Sequence, residues 1–200
     1  TGSCDPAAAL VSIRPSTGAI VAMASTSSFK NTQFNFAQGQ RQPGSTFKPF
    51  TLAAAIEAGI NPNTTYYQSA PFTIDRNDQW GQIYGPWKVQ TYDNTYGGAM
   101  NLVRATLRSD NTVYAQLDLD LGPKSVADTA KSMGITTKLD GYPAEGLGGL
   151  TRGVSPLEMA NAYATLSSGG IRNKPIAIKR VVFSDGDVED LGKPERERVL

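Results

Sequence analysis

The chain has 200 residues, 40% of them hydrophobic and 18% charged, with 19 Lys and Arg against 18 Asp and Glu and no His. A net charge of +1 supplies no field for nucleic acid, and no basic cluster appears. The lack of His removes every Ser-His or Cys-His arrangement, no stretch approaches the ~20 apolar residues of a membrane span, and Cys4, the single cysteine, has no internal disulfide partner.

Ala9, Val11 and Ile13 alternate with Leu10 and Ser12, and Pro15-Ser16-Thr17-Gly18 turns the chain into Ala19 to Met23, so residues 9–24 read as a β-hairpin. The next helical pattern starts at Ser45, with Phe47, Phe50, Ala54 and Ala58 at core spacing, Pro49 in the first turn and Gly59 as the stop. Residues 60–98 are rich in Asn, Tyr, Thr, Pro and Gly. They read as long loops with short strands around Phe72-Thr73-Ile74, a composition suited to the rim of a groove.

Met100, Val103 and Leu107, and then Val113, Leu117 and Leu121, recur at helical spacing on either side of Ser109-Asp110-Asn111, which places that triplet in an inter-helix turn. Val126, Ala130 and Met133 mark another helix closed by Gly134. Ser155-Pro156-Leu157-Glu158 is a capping box with proline at the first helical position, and Gly169-Gly170 ends the helix it starts. Ile176, Ile178 and Val181-Val182-Phe183 read as a strand, turned back by Ser184 to Asp187 toward Val188 and Leu191.

Two polar clusters carry chemistry. In Ser45-Thr46-Phe47-Lys48 a hydroxyl and an amine lie three residues apart on one helical side, which gives a nucleophile its own proton acceptor if the amine is neutral part of the time. The plainer alternative makes Ser45 an N-cap and leaves Lys48 in solvent. In the inter-helix turn, Ser109 is placed to relay a proton and the Asn111 amide to hold a carbonyl or Lys48; the plainer alternative is a turn that caps the second helix, and both can hold together. Tyr66, Tyr67, Trp80, Trp87, Tyr92 and Tyr96 concentrate aromatic rings between the clusters. Packing accounts for most of them, with Trp87 and Tyr92 favoured to touch a substrate because they immediately precede the Ser109 helix.

With these residues the chain resembles the penicillin-binding protein transpeptidase domain of the bifunctional, class A kind, whose signatures are S-x-x-K, S-x-N and K-T-G. The likeness extends to the hairpin from Ala9 to Met23, to Arg41-Gln42-Pro43-Gly44 before Ser45, to Trp87 and Tyr92 to Gly98, and to Val154 to Ala164, and so spans residues 9 to 183. It implies a serine β-lactamase/transpeptidase-like α/β fold, an antiparallel sheet plus a helical lobe, with 9–24 the sheet hairpin, 45–170 the helical lobe and 171–200 a strand and hairpin. It also implies acyl transfer through Ser45, with Lys48 as base, Ser109 as proton relay and Asn111 as amide or lysine holder. The implied substrate is the D-Ala-D-Ala end of a peptidoglycan stem peptide, the implied inhibitors are β-lactams, no cofactor or metal is required, and the place of action is the extracytoplasmic face of a bacterial membrane.

No K-T-G or K-S-G follows the Ser109 motif before Val199-Leu200. By the resemblance that triad lies on a strand that forms one wall of the cleft, so the fold is expected to be incomplete without C-terminal strands, supplied by a companion chain. The runner-up is a serine β-lactamase, for which Glu145 is the residue to weigh as activator of a deacylating water; a third reading is a non-catalytic module that binds β-lactam or stem peptide.

Overall fold

The computed structural model describes residues 8–26, 30 and 32–200; Cys4 lies outside them. In chain order the elements are β1 (Ala9–Ile13), β2 (Ile20–Ser25), a 3-10 turn (Gly44–Phe47) running into α1 (Lys48–Glu57), β3 (Tyr66–Ser69), β4 (Phe72–Ile74), α2 (Gln79–Tyr84), β5 (Trp87–Val89), β6 (Gly98–Asn101), α3 (Leu102–Arg108) and α4 (Asn111–Leu121). Then come α5 (Pro123–Met133), a second 3-10 turn (Glu145–Leu147), α6 (Pro156–Ser167), β7 (Ile171–Asn173), β8 (Arg180–Val182), β9 (Val188–Asp190) and β10 (Arg196–Arg198). Among the described residues no helix is long and apolar enough to cross a membrane. They form two compact units, one gathering residues up to Arg41 with Lys131–Thr137 and Gly153–Leu200, the other Gln42–Ala130 with Lys138–Arg152.

In the first unit β1 and β2 pair antiparallel, Val11 opposite Met23, with a register slip between Ser12 and Ile13. Alternation works as expected: Ala9, Val11 and Ile13 turn inward onto α6, and Leu10 and Ser12 face out. The hairpin closes through the Arg14 carbonyl, which accepts from Thr17 N–H and Gly18 N–H. Gly18 is required twice over, by its φ of +79° and because a Cβ there would sit 2.1 Å from the Lys174 carbonyl oxygen. Ile176 joins this edge by a single parallel bridge to Ala19, so the strand expected from Ile176 onward is only Arg180–Val182, paired with β9. β7 pairs with β10, which the sequence pattern does not show because Arg196 to Arg198 has no apolar alternation.

The α6 start is as expected. Ser155 Oγ accepts from Glu158 N–H at 3.2 Å, and Glu158 Oε2 accepts from Ser155 N–H at 2.8 Å. Glu158 also accepts from Thr136 and Thr137, through both their backbone N–H groups and their hydroxyls. Burial works to raise its pKa, but the donors from Ser155, Thr137 and Thr136 outweigh it and hold the carboxyl at about 2. The stability it contributes is therefore present above its ordinary value and is lost as pH falls toward 2. Ser155→Ala should cost about 1 kcal/mol as a lost cap, and Glu158→Ala about 2–3 kcal/mol because it also frees the Thr136 and Thr137 donors. Thermal melts at pH 7 check the ranking; equal shifts for the two variants would contradict it.

The second unit packs α1, α4 and β6 around Ala55, Met100, Leu102, Ala105, Val113, Tyr114 and Leu117. Phe47 and Phe50 are fully buried and meet edge to face at 4.7 Å. Ala58 is exposed instead of in the core, because α1 ends at Glu57 before Gly59 takes its φ of +81°. The helix expected before Ser109 starts later than its apolar spacing suggests. Met100 belongs to β6, paired with β3, Asn101 caps α3, and the buried face is Leu102 and Ala105, which leaves Leu107 84% exposed. In residues 60–98 the strand expected at Phe72-Thr73-Ile74 is β4, and the segment is more ordered than expected beyond it, with β5 paired to β4, β3 paired to β6 of the next segment, and the short helix α2. Antiparallel pairing is as anticipated, but it takes the form of five two-stranded pieces among the described residues.

Candidate active site

Ser45 stands at the start of the first 3-10 turn, preceded by Gly44 at φ +55°. The backbone of Gly44 is approached so closely by Gly148 that a Cβ on the latter would fall 1.9 Å from the Gly44 carbonyl oxygen. In 3-10 geometry side chains at i and i+3 eclipse, so Ser45 and Lys48 are on one side of the turn. Ser45 is not the helix cap: the N-cap of α1 is Phe47, without a side-chain cap bond. Nor is Lys48 in solvent, being 3% exposed.

The Ser109 motif is an inter-helix turn, as expected. α3 closes on Ser109 in the left-handed region, φ 52° and ψ 42°, a conformation that costs a non-glycine residue about 1–3 kcal/mol and persists only where its surroundings enforce it. Asp110 supplies the enforcement. Its Oδ1 accepts from Thr112 N–H, Thr112 Oγ1 and Val113 N–H, which caps α4, and its Oδ2 accepts from Ser69 Oγ at 2.5 Å. Ser69 Oγ in turn accepts from Gly97 N–H. Burial opposes the Asp110 charge, but the Ser69, Thr112 and Val113 donors prevail and keep its carboxyl below the usual range. The plainer alternative for this triplet, a turn that caps the second helix, therefore holds together with the site reading, and Asp110 is the cap.

The strained turn aims three acceptors at one cation. Lys48 Nζ donates to the Ser109 carbonyl at 2.6 Å, to Ser109 Oγ at 3.0 Å and to Asn111 Oδ1 at 2.8 Å, and it lies 5.4 Å from the centre of the Tyr114 ring. Asn111 is oriented from its other end, where Nδ2 donates to the Gln90 carbonyl at 3.1 Å. Burial lowers the Lys48 pKa to about 8, against the raising influence of the Asp110 charge. Lys48 is thus a cation with a complete set of acceptors that gives up its proton near neutrality.

Ser45, Ser109 and Asn111 open onto one cleft of about 550 Å³, lined also by Thr91, Tyr92 and Arg108. Tyr92 is fully exposed there. Trp87 is elsewhere, on β5, lining a second cavity. Glu145 is 1% exposed and does not line the cleft; its two oxygens accept from Asp140 N–H and Gly141 N–H, so its bonding is that of a loop staple. Arg108, overlooked in the sequence, gives the cleft a fixed cation from the last turn of α3, directly before Ser109.

A buried lysine held between a serine and an asparagine, with a second serine three residues before it, is the arrangement of the S-x-x-K and S-x-N motifs, and the chain belongs to the penicillin binding protein transpeptidase domain family, whose model matches residues 8–198. Among its relatives, penicillin-binding protein 2D of Bacillus subtilis (strain 168) is 35% identical over 191 residues, covering 94% of this chain and 26% of that protein. Penicillin-binding protein 1A of Mycobacterium tuberculosis is 34% identical over 200 residues, covering 92% of this chain and 23% of the other. The chain thus spans about a quarter of the length of these relatives. Its fold is similar to that of PonA1 from Mycobacterium tuberculosis in complex with penicillin V, with a TM-score of 0.79 at 33% identity over 95% of this chain and 51% of that one. It is also similar to penicillin-binding protein 1A from Haemophilus influenzae, with a TM-score of 0.81 at 28% identity over 94% of this chain and 27% of that one.

Proposed function

We propose that this chain carries the nucleophile half of a peptidoglycan D-Ala-D-Ala transpeptidase site. The observation that supports the reading best is Lys48, buried and bound to Ser109 and Asn111, on the same side of the turn as Ser45. In its neutral form Lys48 takes the Ser45 Oγ proton, and Oγ attacks the carbonyl of the penultimate D-alanine. The carbonyl oxygen gains the charge, favoured by the backbone N–H of Ser45 in the first turn of the helix, where donors lack intrahelical partners. The C–N bond to the terminal D-alanine then breaks, and Ser109 passes the proton from Lys48 to the leaving amine. An amine of a neighbouring stem peptide attacks the acyl-serine carbonyl, its proton passes through Ser109 and Lys48 to Ser45 Oγ as the acyl C–Oγ bond breaks, and the new amide closes the cross-link with Ser45 restored.

Tyr92 is assigned to the substrate because it stands fully exposed on the cleft. We further propose that the C-terminal half of the domain, on the same or a companion polypeptide, completes the cleft and covers the hairpin face on which Leu10 and Val21 are each 59% exposed. The share of 51% of the PonA1 chain supports this. The reaction is placed on the outer face of the bacterial membrane, where stem peptides are.

A β-lactam that imitates the D-Ala-D-Ala end should acylate Ser45. Intact-mass analysis of the protein, completed by its C-terminal half, should gain the mass of one penicillin, with the adduct on the peptide containing Ser45, and Ser45→Ala should gain none. An adduct that persists in Ser45→Ala would overturn the assignment.

A further inference from the structure

The cavity that holds Trp87 is about 280 Å³ in volume, at the lower end of the roughly 300–1,000 Å³ of ligand sites, so it has room for one ring-sized group. Its walls are mainly apolar and aromatic: Trp80 and Tyr84 from α2, Trp87 from β5, and Tyr142 with Pro143 from the segment before the second 3-10 turn. The rings are held in place by one another. Trp80 and Tyr84 stack at 6.0 Å with 17° between their planes, and Tyr84 meets Tyr142 edge to face at 5.5 Å. Helix α2 is pinned beneath them, because a Cβ on Gly81 would lie 1.7 Å from the Asp75 carbonyl oxygen.

Two features restrict the occupant. No Asp, Glu, Lys or Arg lines the cavity, so it offers no counter-charge to a carboxylate, phosphate or ammonium group. Flat aromatic walls carrying indole N–H and phenol O–H tips suit a ring that is apolar on its faces and polar around its edge. A pyranose has that division, with C–H bonds on its faces and hydroxyl and acetamido groups at its rim.

The chain links this cavity to the cleft on two sides. Three residues after Trp87, the Gln90 carbonyl holds the Asn111 amide, and Thr91 and Tyr92 line the cleft. On the other side Gly149 lines the cavity while Gly148 packs on the carbonyl of Gly44, next to Ser45. We propose that this aromatic cavity is a saccharide subsite that seats one N-acetylhexosamine ring of the glycan strand carrying the stem peptide. The choice of sugar rests on the transpeptidase reading; the uncharged pyranose chemistry rests on the cavity.

The two tryptophans of the sequence both line this cavity, so intrinsic tryptophan fluorescence reports on it directly. Titration of the protein with N,N′-diacetylchitobiose, an uncharged two-ring probe, should give a saturable change in emission with a Kd on the order of 1 mM. Tyr142→Ala, at a residue 44% exposed and outside the cleft lining, should weaken that binding at least tenfold while circular dichroism and the rate of penicillin acylation stay unchanged. No saturable change, an unchanged Kd in Tyr142→Ala, or an equal response to a sugar-free stem pentapeptide would overturn the subsite, the last by making the cavity a peptide site. Because acylation is read separately, loss of the transpeptidase reading would show as absent adduct with sugar binding retained.

Discussion

Lys48→Arg is expected to slow acylation of Ser45 by penicillin by roughly 10²–10⁴-fold while leaving the protein folded. Three oxygens from Ser109 and Asn111 surround the amine, which stabilises its charged form, while burial works against that charge and brings the pKa to about 8. At pH 7 only about a tenth of the molecules then hold a neutral amine able to take a proton. Below pH 8 the acylation rate constant should therefore rise about tenfold per pH unit and level off above it. A guanidinium keeps the charge that the Ser109 and Asn111 oxygens require but does not deprotonate, so the variant should lose both the rate and its pH dependence. Lys48→Ala would remove the base too, but it leaves buried acceptors unpaired, which confounds chemistry with folding. Mass-resolved acylation time courses between pH 6 and 9 provide the check, and an arginine variant that keeps the wild-type rate or slope would remove Lys48 from the proton-transfer step.

The residues that make this experiment possible were visible before any coordinates, because the spacing of Ser45 from Lys48 and the position of Ser109 between two helical patterns are local properties of the chain. What spacing left out is the way the turn is held. Asp110 caps α4 through Thr112, a local contact, but its other oxygen binds Ser69, which lies in a strand that pairs with β6 and stands 41 positions away; that contact leaves no local pattern. The apolar spacing of Met100, Val103 and Leu107 was misleading for the same reason. Strand pairing with Tyr67 claims Met100, which delays α3 by two residues and rotates its buried face to Leu102 and Ala105. Between residues 60 and 98 the strand at Phe72-Thr73-Ile74 was legible and is β4, whereas β3 and β5 were hidden because the composition around them is that of turns and strands of three or four residues are too short for alternation to register. The hairpin and α6, by contrast, are specified by neighbours in sequence, and the Ser155 capping box and the Ala9 to Ile13 alternation form as local chemistry dictates.

Asp118→Asn is expected to stabilise the protein at neutral pH, and no spacing argument would have suggested it. Asp118 follows Leu117 on α4, is fully buried, and neither carboxyl oxygen has a hydrogen-bond partner among the described residues. It lies against Gly146, where a Cβ would come within 2.7 Å of its Oδ1, so glycine alone leaves room for the carboxyl. Burial first, and the charge of neighbouring Glu145 second, push its pKa up to about 8 from an ordinary 3.8. The folded protein therefore keeps a proton on Asp118 across a window in which the unfolded chain releases it, and stability falls as pH rises from about 4 to about 8. At pH 7, about 3 pH units above the unfolded value at about 1.4 kcal/mol each, the cost has an upper bound of roughly 4 kcal/mol. An asparagine of the same shape carries no such proton. Its melting temperature at pH 7 should exceed the wild type's by on the order of 5–10 °C, with the decline between pH 5 and 8 flattened. A variant that melts lower, or keeps the wild-type slope, would show the carboxyl to be compensated by a partner. Thr51 of α1 donates its hydroxyl proton to the Gly146 carbonyl, so the turn beneath Asp118 is tied to the helix that begins with Lys48. Lys48 and Asp118 thus both titrate near pH 8, and the asparagine variant separates the pH dependence of the chemistry from that of stability.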